Sequence, residues 1–371
     1  MALSATPRVS VVIPVYNGEE FIADAIRSVL AQSYANWDLT ICNNWSKDRT
    51  LAIAEELAAQ DPRIRVVTYP KFVSVVESHN NAFNLISDEA TYCVALGADD
   101  LLFPACLEEK VRVAETYPTV GMVGSYVLSG NEVIIPAYKF PDTIVRGREV
   151  GRFRFLQNRS LFGGPSSSLL RASIVRDKNP FYDPLNYYGD LEAYLDLLQH
   201  YDFGFVHQVL TYTRKGTGSR TTSYLERVNA QAAMRICEVT RFGTFYLTPD
   251  EFKDRLGKYT RGYYRFLGEN VWEFRRREFW DYHLIHVKKL GHAPRYSLIA
   301  WYAFLHLLIL AGNPLSSVNG FIRRVADWRT GKAMQQAESH GPAPETRSQG
   351  SAPAHRSSGP ASTVRVTKTA P

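Results

Sequence analysis

The sequence predicts an α/β protein: a mostly parallel sheet sandwiched by helices, with a helical C-terminal extension. Short runs rich in Val and Ile alternate with amphipathic helical segments over the first hundred residues. Polar clusters follow several of these runs, and a chain of 371 residues with 45% hydrophobic content is long enough to bury a full α/β core. Such alternation implies right-handed crossovers, which bring the carboxyl ends of the strands to one edge, where ligands bind.

The apolar periodicity assigns the elements in order. Strands are predicted at 8–17, 37–44, 64–69 and 91–96, each followed by a helix, at 19–33, 50–60, near 78–87 and from Pro104 to about Tyr117. Further strand is predicted at 121–135, a helix at 187–201, and a strand from 205 that ends in the basic, Gly-rich loop "TRKGTGSR". Three polar clusters, "VYNG", "NNWSKD" and "GADD", should therefore share one edge of the sheet.

Charge is distributed unevenly. Of a net charge of +6, residues 251–295 hold 11 Lys/Arg against 6 Asp/Glu, and residues 332–371 hold 5 against 2, whereas the first 250 residues are close to neutral. This pattern argues against a nucleic-acid binder and indicates a neutral domain with a basic appendage. The four cysteines show no CxxC or metal spacing, and no signal peptide precedes the first strand, so we expect a cytoplasmic, reducing environment.

Two adjacent carboxylates, Asp99 and Asp100, follow the strand at 91–96. A carboxylate at the end of a parallel strand can bind a divalent cation, and Mg²⁺ usually takes one or two protein carboxylates together with substrate phosphates. The positive partner of this acidic pair would then be Mg²⁺ or Mn²⁺ carrying a nucleotide diphosphate. The alternative is that both residues only form the turn and cap the next helix.

Other polar residues have similar alternatives. Asp190 opens a helix, where it is either a general base for an acceptor hydroxyl or an ordinary helix-start acid. Arg214, Lys215 and Arg220 could close over a diphosphate or simply be solvated. His79 and Asn80, in "ESHNNAF", are expected to face the same edge of the sheet.

Taken together, residues 8–225 resemble the family 2 glycosyltransferases, which have the Rossmann-type GT-A fold. The similar segments are "VSVVIPVYNGEEFIADAIRSVLAQSY", "ICNNWSKDRT", "SHNNAF", "LGADDLLFP", "GGPSSSLLR" and "YYGDLEAYLDLL". Their order and spacing carry the resemblance more than any single segment does.

The resemblance implies an inverting, metal-dependent transfer of a sugar from a nucleotide sugar, with a UDP-sugar as the expected donor, to a saccharide or lipid-linked acceptor in cell-surface glycan synthesis. The implied nucleotide-sugar site consists of Pro14, Val15, Tyr16, Asn43, Asn80, Asp99 and Arg214. Asp99 matches the metal-coordinating Asp, and Asp190 matches the general base. Tyr16 would offer its ring for stacking.

Three positions depart from the family pattern. Gly97 stands where an Asp is frequent, Asn43 replaces a carboxylate near the base, and His79 replaces a frequent Arg. Gly97 and Asn43 support an alternative function, a catalytically degenerate homologue that acts as a partner or scaffold. A pyrophosphorylase is disfavoured because "VYNGEEFI" lacks the basic loop that such an enzyme needs.

The C-terminal third of the sequence divides into a helical region and a tail, and the helical region contains one apolar stretch. Residues 226–331 are helical, basic and aromatic, and 332–371 should be disordered because they are rich in Ser, Pro, Ala and Gly. The apolar stretch at 296–312 has a dense core of 14 residues, shorter than the roughly 20 that span a bilayer. It is therefore expected to lie in the inner membrane interface beside its basic neighbours, with a buried helix and a true span as alternatives.

Overall fold

The computed structural model of the chain describes residues 6–134, 142–159, 162–186, 188–215, 220–273, 275–289 and 291–312. The strands are β1 (Arg8–Val15), β2 (Trp37–Asn43), β3 (Ile64–Thr68), β4 (Ala90–Ala95), β5 (Leu101–Leu102), β6 (Val120–Ser129), β7 (Glu132–Ile134), β8 (Ile144–Val145), β9 (Leu169–Arg171) and β10 (Asp202–Thr213). The helices are α1 (Ile22–Leu30), α2 (Thr50–Ala58), α3 (Val75–Phe83), α4 (Cys106–Thr116), α5 (Gly147–Gln157), α6 (Ala172–Asp177), α7 (Gly189–Leu197), α8 (Arg220–Arg227), α9 (Gln231–Tyr246), α10 (Pro249–Asn270), α11 (Arg277–Asp281), α12 (Val287–Lys289) and α13 (Tyr296–Gly312).

The predicted α/β architecture is confirmed. The main path of the sheet runs β3-β2-β1-β4-β9-β6-β10-β5, and β1 pairs in parallel with both β2 and β4. Only the short strands β5, β7, β8 and β9 pair antiparallel within the described residues. Since β1 leads outward through β2 to β3 on one side and has β4 on the other, the strand order reverses at β1 and β4, which is where open α/β sheets bind ligands.

The central strands are apolar on both faces because helices cover both. Val9, Val11 and Ile13 face one core with α1, α2 and α4, whereas Val12 and Cys93 face a second core with α3, α6 and α7. The near-continuous Val/Ile runs that predicted these strands are typical of parallel sheets buried in this way. Cys42, Cys93 and Cys106 are buried thiols.

Two predicted boundaries differ from the structure. α3 begins at Val75 rather than near 78, because the Ser74 hydroxyl caps it by accepting the backbone N–H of Glu77 at 3.2 Å. The strand predicted at 121–135 is a hairpin, in which β6 and β7 are joined by a turn with Gly130 at φ +60°. The domain boundary predicted after residue 225 falls within α8.

The predicted C-terminal helices pack on one another and on the sheet domain. α10 starts with a capping box between Thr248 and Glu251 and packs along α9 on one side and α13 on the other. Gly268 allows α13 to approach closely, since a Cβ there would lie 2.6 Å from the backbone of Tyr302 and Ala303. The tail predicted at 332–371 lies outside the described residues.

The apolar helix α13 is half covered. Ile299 and Ala303 are buried against α10, whereas Trp301, Phe304 and Leu308 are each more than half exposed. These three recur at helical spacing and form one apolar face. Within the described residues, α13 thus buries one side against α10 and exposes the other. No helix in the described ranges combines the length and apolarity needed to cross a bilayer.

Candidate active site

A cleft of about 520 Å³ opens where the strand order reverses. Its walls are the loop after β1, the loop after β4, the start of α3 and the turn at 165–166. Pro14, Val15, Tyr16 and Asp99 line it, so four of the predicted nucleotide-sugar residues share one cleft.

Backbone hydrogen bonds fix the loop after β1 to the loop after β2. The Gly18 N–H donates to Thr50 Oγ1 at 2.8 Å, and the Asn17 N–H donates to Ser46 Oγ at 3.0 Å. In return, the Lys47 N–H donates to Asn17 Oδ1 at 2.8 Å. Because each loop satisfies the polar groups of the other, this wall of the cleft is rigid before any ligand arrives.

An aromatic pair stands at the mouth of the cleft. The Tyr16 ring meets the Phe72 ring edge-on with 4.8 Å between centroids, and Phe72 is 55% exposed. Sequence reasoning found Tyr16 but missed Phe72. The signal was present, since "YPKFVS" places a lone aromatic between Pro70 and the Ser74 cap of α3.

The two asparagines of "NNWSKD" have different positions. Asn44, which the sequence reasoning did not single out, lines the cleft and exchanges hydrogen bonds of 2.9 Å with both backbone groups of Val73. Asn43, the predicted base contact, is 2% exposed and donates to Thr68 Oγ1 at 3.2 Å. Asn44 rather than Asn43 therefore lines the cleft, although Asn44 is itself only 3% exposed.

The acidic pair divides into two environments. Both residues line the cleft, but Asp100 is buried and accepts a hydrogen bond from the Ser166 hydroxyl. Burial, helped by the neighbouring charge of Asp99, raises the pKa of Asp100 to about 6, and the bond from Ser166 opposes that rise. Asp100 therefore holds the 165–168 turn against the loop after β4, in line with the structural alternative for this residue.

The carboxylates of Asp99 and Asp100 crowd the position of Gly97. A Cβ at this position would lie 3.0 Å from Asp100 Oδ2 and 3.2 Å from Asp99 Oδ1, and the Gly97 N–H donates to Ser166 Oγ at 2.9 Å. A Cβ would therefore make these carboxylate groups shift by a few tenths of an ångström. Gly97, which stands where the family frequently has Asp, thus lies in a tightly packed loop.

Arg214 contacts the loop from its outer side. Its Nε donates to the Asp99 carbonyl oxygen at 3.1 Å, its Nη2 forms a 2.9 Å ion pair with Asp24, and its guanidinium lies 4.8 Å from the centroid of the Phe21 ring. Lys215 pairs with Glu132 at 2.7 Å. Arg214 therefore positions Asp99, while the predicted contact of this loop with a diphosphate remains a prediction. The side chain of Arg220 is outside the described residues.

Asn80 acts behind the cleft rather than in it. Its amide nitrogen donates to the Tyr182 carbonyl and its amide oxygen accepts the Tyr182 N–H, both at 2.8 Å. The neighbouring His79 lines the cleft and lies 6.0 Å from the Tyr182 ring, centroid to centroid. Burial lowers the pKa of His79, so its imidazole is neutral near pH 7 and would attract a phosphate less than the frequent Arg would.

Asp190 lies in the first turn of α7, beside Tyr182. Gly189 permits this approach, because a Cβ there would be 2.9 Å from the Tyr182 Cβ. Burial raises the pKa of the Asp190 carboxyl above 3.8, although hydrogen bonds from the backbone N–H groups of Leu191 and Asp190 itself oppose the rise. An acid with a raised pKa at a helix start is well suited to accept a proton near neutral pH.

Tyr182 connects the two predicted functional carboxylates. On one side it is held by Asn80 and faces His79 of the cleft; on the other, burial and then the charges of Tyr194 and Asp190 raise its pKa. The hydroxyls of Tyr182 and Tyr194 are buried without a hydrogen-bond partner among the described residues. Asp190 and the cleft that holds Asp99 thus lie on the two sides of one packed residue.

The cleft has few side chains that could bind a metal ion. Among the residues that the structure describes, no three His, Cys, Asp or Glu side chains form a cluster able to hold a metal ion. Asp99 fits the smaller requirement of Mg²⁺ or Mn²⁺ at a nucleotide site, where diphosphate oxygens and water complete the coordination.

Comparison with known families identifies the domain. Residues 10–177 match the model of Glycosyl transferase family 2. The chain contains a family 2 glycosyltransferase domain. This confirms the resemblance over the first five segments. The matched region includes β1, the acidic loop and the 165–168 turn but ends before the sixth segment, which contains Asp190.

Curated relatives of the family 2 domain agree with this assignment. The chain is 32% identical to the putative glycosyltransferase EpsE of Bacillus subtilis over 152 residues, which are 39% of the chain and 54% of EpsE. It is 27% identical to the Escherichia coli UDP-Glc:alpha-D-GlcNAc-diphosphoundecaprenol beta-1,3-glucosyltransferase WfgD over 191 residues, 52% of the chain and 70% of WfgD. The alignment thus spans about half the length of EpsE.

A solved structure extends the similarity beyond the family 2 domain. Residues 1–349 of S. aureus TarS, in complex with UDP-GlcNAc, superpose with a TM-score of 0.58 at 14% identity, covering 87% of this chain and 92% of that one. At this identity the similarity concerns the fold alone. It confirms the GT-A arrangement of the sheet followed by C-terminal helices.

Proposed function

We propose that the protein transfers a sugar from a nucleotide sugar, most simply a UDP-sugar, to a hydroxyl group of a saccharide or lipid-linked acceptor. The observation that carries the proposal is the placement of Asp99 in the cleft at the sheet's reversal point, with Asp190 across Tyr182 from it. The names of WfgD and TarS, with their UDP-linked sugars, support a uridine donor. A role in building surface glycans rests on WfgD, whose acceptor is named as a diphosphoundecaprenol.

The transfer is a single displacement that inverts the anomeric carbon. The acceptor oxygen forms a bond to C1 of the sugar while the bond between C1 and the diphosphate oxygen breaks, and the diphosphate leaves with the electron pair. Asp190 accepts the proton of the attacking hydroxyl, a role that its raised pKa favours. No covalent sugar–enzyme intermediate is needed.

The protein's remaining groups bind and orient the donor. The Tyr16 and Phe72 rings form a surface on which a base can stack, and the linked loops after β1 and β2 hold that surface in place. Arg214 fixes the backbone of Asp99, so the carboxylate is positioned before the donor binds. A divalent cation held by Asp99 would neutralise the charge that develops on the departing diphosphate.

The exposed face of α13 supports attachment to the inner surface of a membrane. Trp301, Phe304 and Leu308 form its apolar part, and Arg275–Arg277 and Lys288–Lys289 supply neighbouring cations for anionic headgroups. In sedimentation with anionic lipid vesicles, the protein should bind and a variant with Trp301→Ser and Phe304→Ser should stay in the supernatant. Equal sedimentation of the two would exclude this face.

The donor proposal is tested by thermal unfolding with a panel of nucleotide sugars, with and without Mn²⁺. A UDP-sugar should raise the unfolding temperature more in the presence of Mn²⁺, and the same sugar should be hydrolysed slowly without an acceptor. A protein that binds no nucleotide sugar under any condition would instead fit the alternative, a degenerate homologue acting as a scaffold.

A further inference from the structure

A second and larger cavity, of about 1010 Å³, lies between α8, α9 and α10. It begins at Tyr188, two residues before Asp190 in the chain, and it shares no lining residue with the nucleotide cleft. Burial and then the charges of Asp190 and Glu226 raise the pKa of Tyr188, so the Asp190 carboxyl lies within electrostatic reach of the cavity. A molecule bound here could present a hydroxyl to Asp190 from the side opposite the donor.

The cavity lining combines cations with apolar and aromatic surface. Arg235 on α9 and Lys258 on α10 line it, together with Leu225, Ile236 and Phe266. Neither cation forms a salt bridge within the described ranges, in contrast to Arg154, which pairs with Glu238 through both carboxylate oxygens. The charge of Arg235 does act on Glu238, but that carboxylate is already paired with Arg154. Arg235 and Lys258 beside an apolar wall therefore favour a ligand with an anionic group and a hydrocarbon part.

One acidic residue, Glu226, also lines the cavity and is exposed at its edge. It opposes an anionic ligand, but one carboxylate against Arg235 and Lys258 leaves a net positive lining. Tyr259 and Tyr263 contribute rings, because their hydroxyls are already bonded to the Phe155 carbonyl and to His283. Aromatic rings of this kind suit the faces of a sugar.

We infer that this cavity binds the acceptor, and that the acceptor is a saccharide joined through phosphate or diphosphate to a hydrocarbon chain. Arg235 and Lys258 contact the phosphate, the apolar wall contacts the first part of the chain, and the terminal sugar reaches past Tyr188 to Asp190. The assignment to an acceptor rests on the proposed transfer function; the binding of an anionic amphiphile does not.

Two glycines of α10 provide a matched pair of variants. Gly262 lines the cavity, and a Cβ added to it meets nothing within 4 Å, so we expect the side chain of Gly262→Leu to occupy cavity space. Gly257 lies on the same helix outside the lining, and a Cβ there meets only the end of the Arg261 side chain at 3.4 Å. Both substitutions should raise helix propensity equally, so misfolding cannot explain a difference between them.

Binding is measured by calorimetry with three probes: decyl diphosphate-linked N-acetylglucosamine, decyl N-acetylglucosaminide and N-acetylglucosamine 1-phosphate. The first should bind at least about tenfold more tightly than the other two, since only it has both the anion and the chain. Gly262→Leu should abolish its binding and Gly257→Leu should not. UDP affinity, measured in parallel, should be the same in all these proteins.

Charge substitutions test the recognition of the anion. Arg235→Gln should weaken binding of the diphosphate probe about tenfold, whereas Arg261→Gln, on the exposed side of α10, should leave it unchanged. Glu226→Gln should strengthen binding of the diphosphate probe about two- to threefold, which corresponds to the small contribution of one exposed charge. Misfolding cannot produce such a gain.

Equal affinity for the diphosphate probe and the neutral glycoside would overturn the inference, as would equal effects of the two glycine variants. Tighter binding of N-acetylglucosamine 1-phosphate than of the decyl probe would also overturn it, because the source of the anion would then be a soluble sugar phosphate. If the probe binds as expected but no UDP-sugar binds, the proposed function fails and the amphiphile site stands.

Discussion

The nucleotide cleft and the helical cavity are constructed in different ways. The cleft is made of loops at the ends of neighbouring strands, and hydrogen bonds between backbone and side chains, such as Gly18 to Thr50, hold it together. The cavity is made of side chains from helices that meet only after folding, such as Leu225, Arg235 and Lys258. The first kind of site leaves short sequence patterns, whereas the second leaves none.

The two sites also differ in charge. The cleft presents a carboxylate, Asp99, and the cavity presents cations, Arg235 and Lys258. Under the proposed function, a nucleotide diphosphate would bind in the cleft through a metal ion, whereas an acceptor phosphate would bind directly to the cations of the cavity. Asp190 lines neither site, but its charge reaches Tyr188 of the cavity and Tyr182 behind the cleft; under the proposed function, its loss should affect catalysis but neither binding event.

The largest effect is expected for Asp190→Asn. An amide cannot accept the acceptor's proton, so we expect transfer to fall by about 10²- to 10⁴-fold while UDP-sugar affinity changes little. In the unaltered protein, kcat/KM should fall as the pH drops through the Asp190 pKa, because the protonated carboxyl is inactive; that pKa should lie above 3.8. Steady-state kinetics across pH check both statements.

Asp196→Asn is the control for this variant. Asp196 lies on the same helix but pairs with Lys178 at the surface, 2.7 Å away, so its loss should leave transfer nearly unchanged. If both variants lose activity equally, the loss is caused by destabilisation of α7 and not by removal of a catalytic base.

A second prediction concerns the contact between the sheet domain and the C-terminal helices. Arg154 on α5 and Glu238 on α9 form a buried ion pair of 3.1 Å. Arg154→Met leaves the Glu238 carboxylate without its partner, so we expect the free energy of unfolding to fall by about 3–5 kcal/mol. Burial already raises the pKa of Glu238 to about 7, so the loss should be smaller below that pH, where the folded protein can keep the group protonated.

Arg152→Met is the matched surface substitution, because Arg152 pairs with Glu251 across the same two parts of the chain but is 41% exposed. Its cost should be about 1 kcal/mol or less. Denaturant unfolding compares the two, and adding Glu238→Gln to Arg154→Met should restore part of the loss. Similar costs for both single variants would show that burial of the pair is not decisive.

The smallest effect is expected at the mouth of the cleft. Phe72→Ala removes half of the aromatic pair, and base stacking on one ring contributes about 1–3 kcal/mol, so UDP affinity should fall roughly tenfold. Phe304→Ala, an equally exposed aromatic on α13, should leave UDP affinity unchanged. Unaltered affinity in Phe72→Ala would mean that the base lies elsewhere in the cleft.

The sequence predicted the sheet and most of the cleft because both depend on local patterns. Buried Val/Ile runs specify the strands, and the residues that end them, such as Tyr16 and Asp99, must fall at the common edge. Asn44 rather than the predicted Asn43 lines the cleft, although both are buried, because residue 43 still belongs to β2 and residue 44 begins the loop after it. A shift of one residue was enough to exchange them.

Long-range contacts explain what the sequence did not reveal. Asn80 was expected at the donor, yet its partner is the backbone of Tyr182, 102 positions away. α13 is half covered because Gly268 lets it approach α10 closely. The apolar pattern of residues 296–312 alone cannot predict this contact. The helical cavity escaped notice for the same reason, since its lining comes from separate helices.

The most direct test of the central claim compares Asp99→Asn with Asp190→Asn, measuring UDP-sugar affinity with and without Mn²⁺ and the transfer rate at saturating donor. Asp99→Asn should lose the Mn²⁺-dependent part of donor affinity, and Asp190→Asn should keep that affinity and lose transfer. If Mn²⁺ strengthens donor binding equally in both variants, the proposed metal-binding role of Asp99 is contradicted. If Asp190→Asn transfers at the normal rate, the proposed role of Asp190 as general base is contradicted.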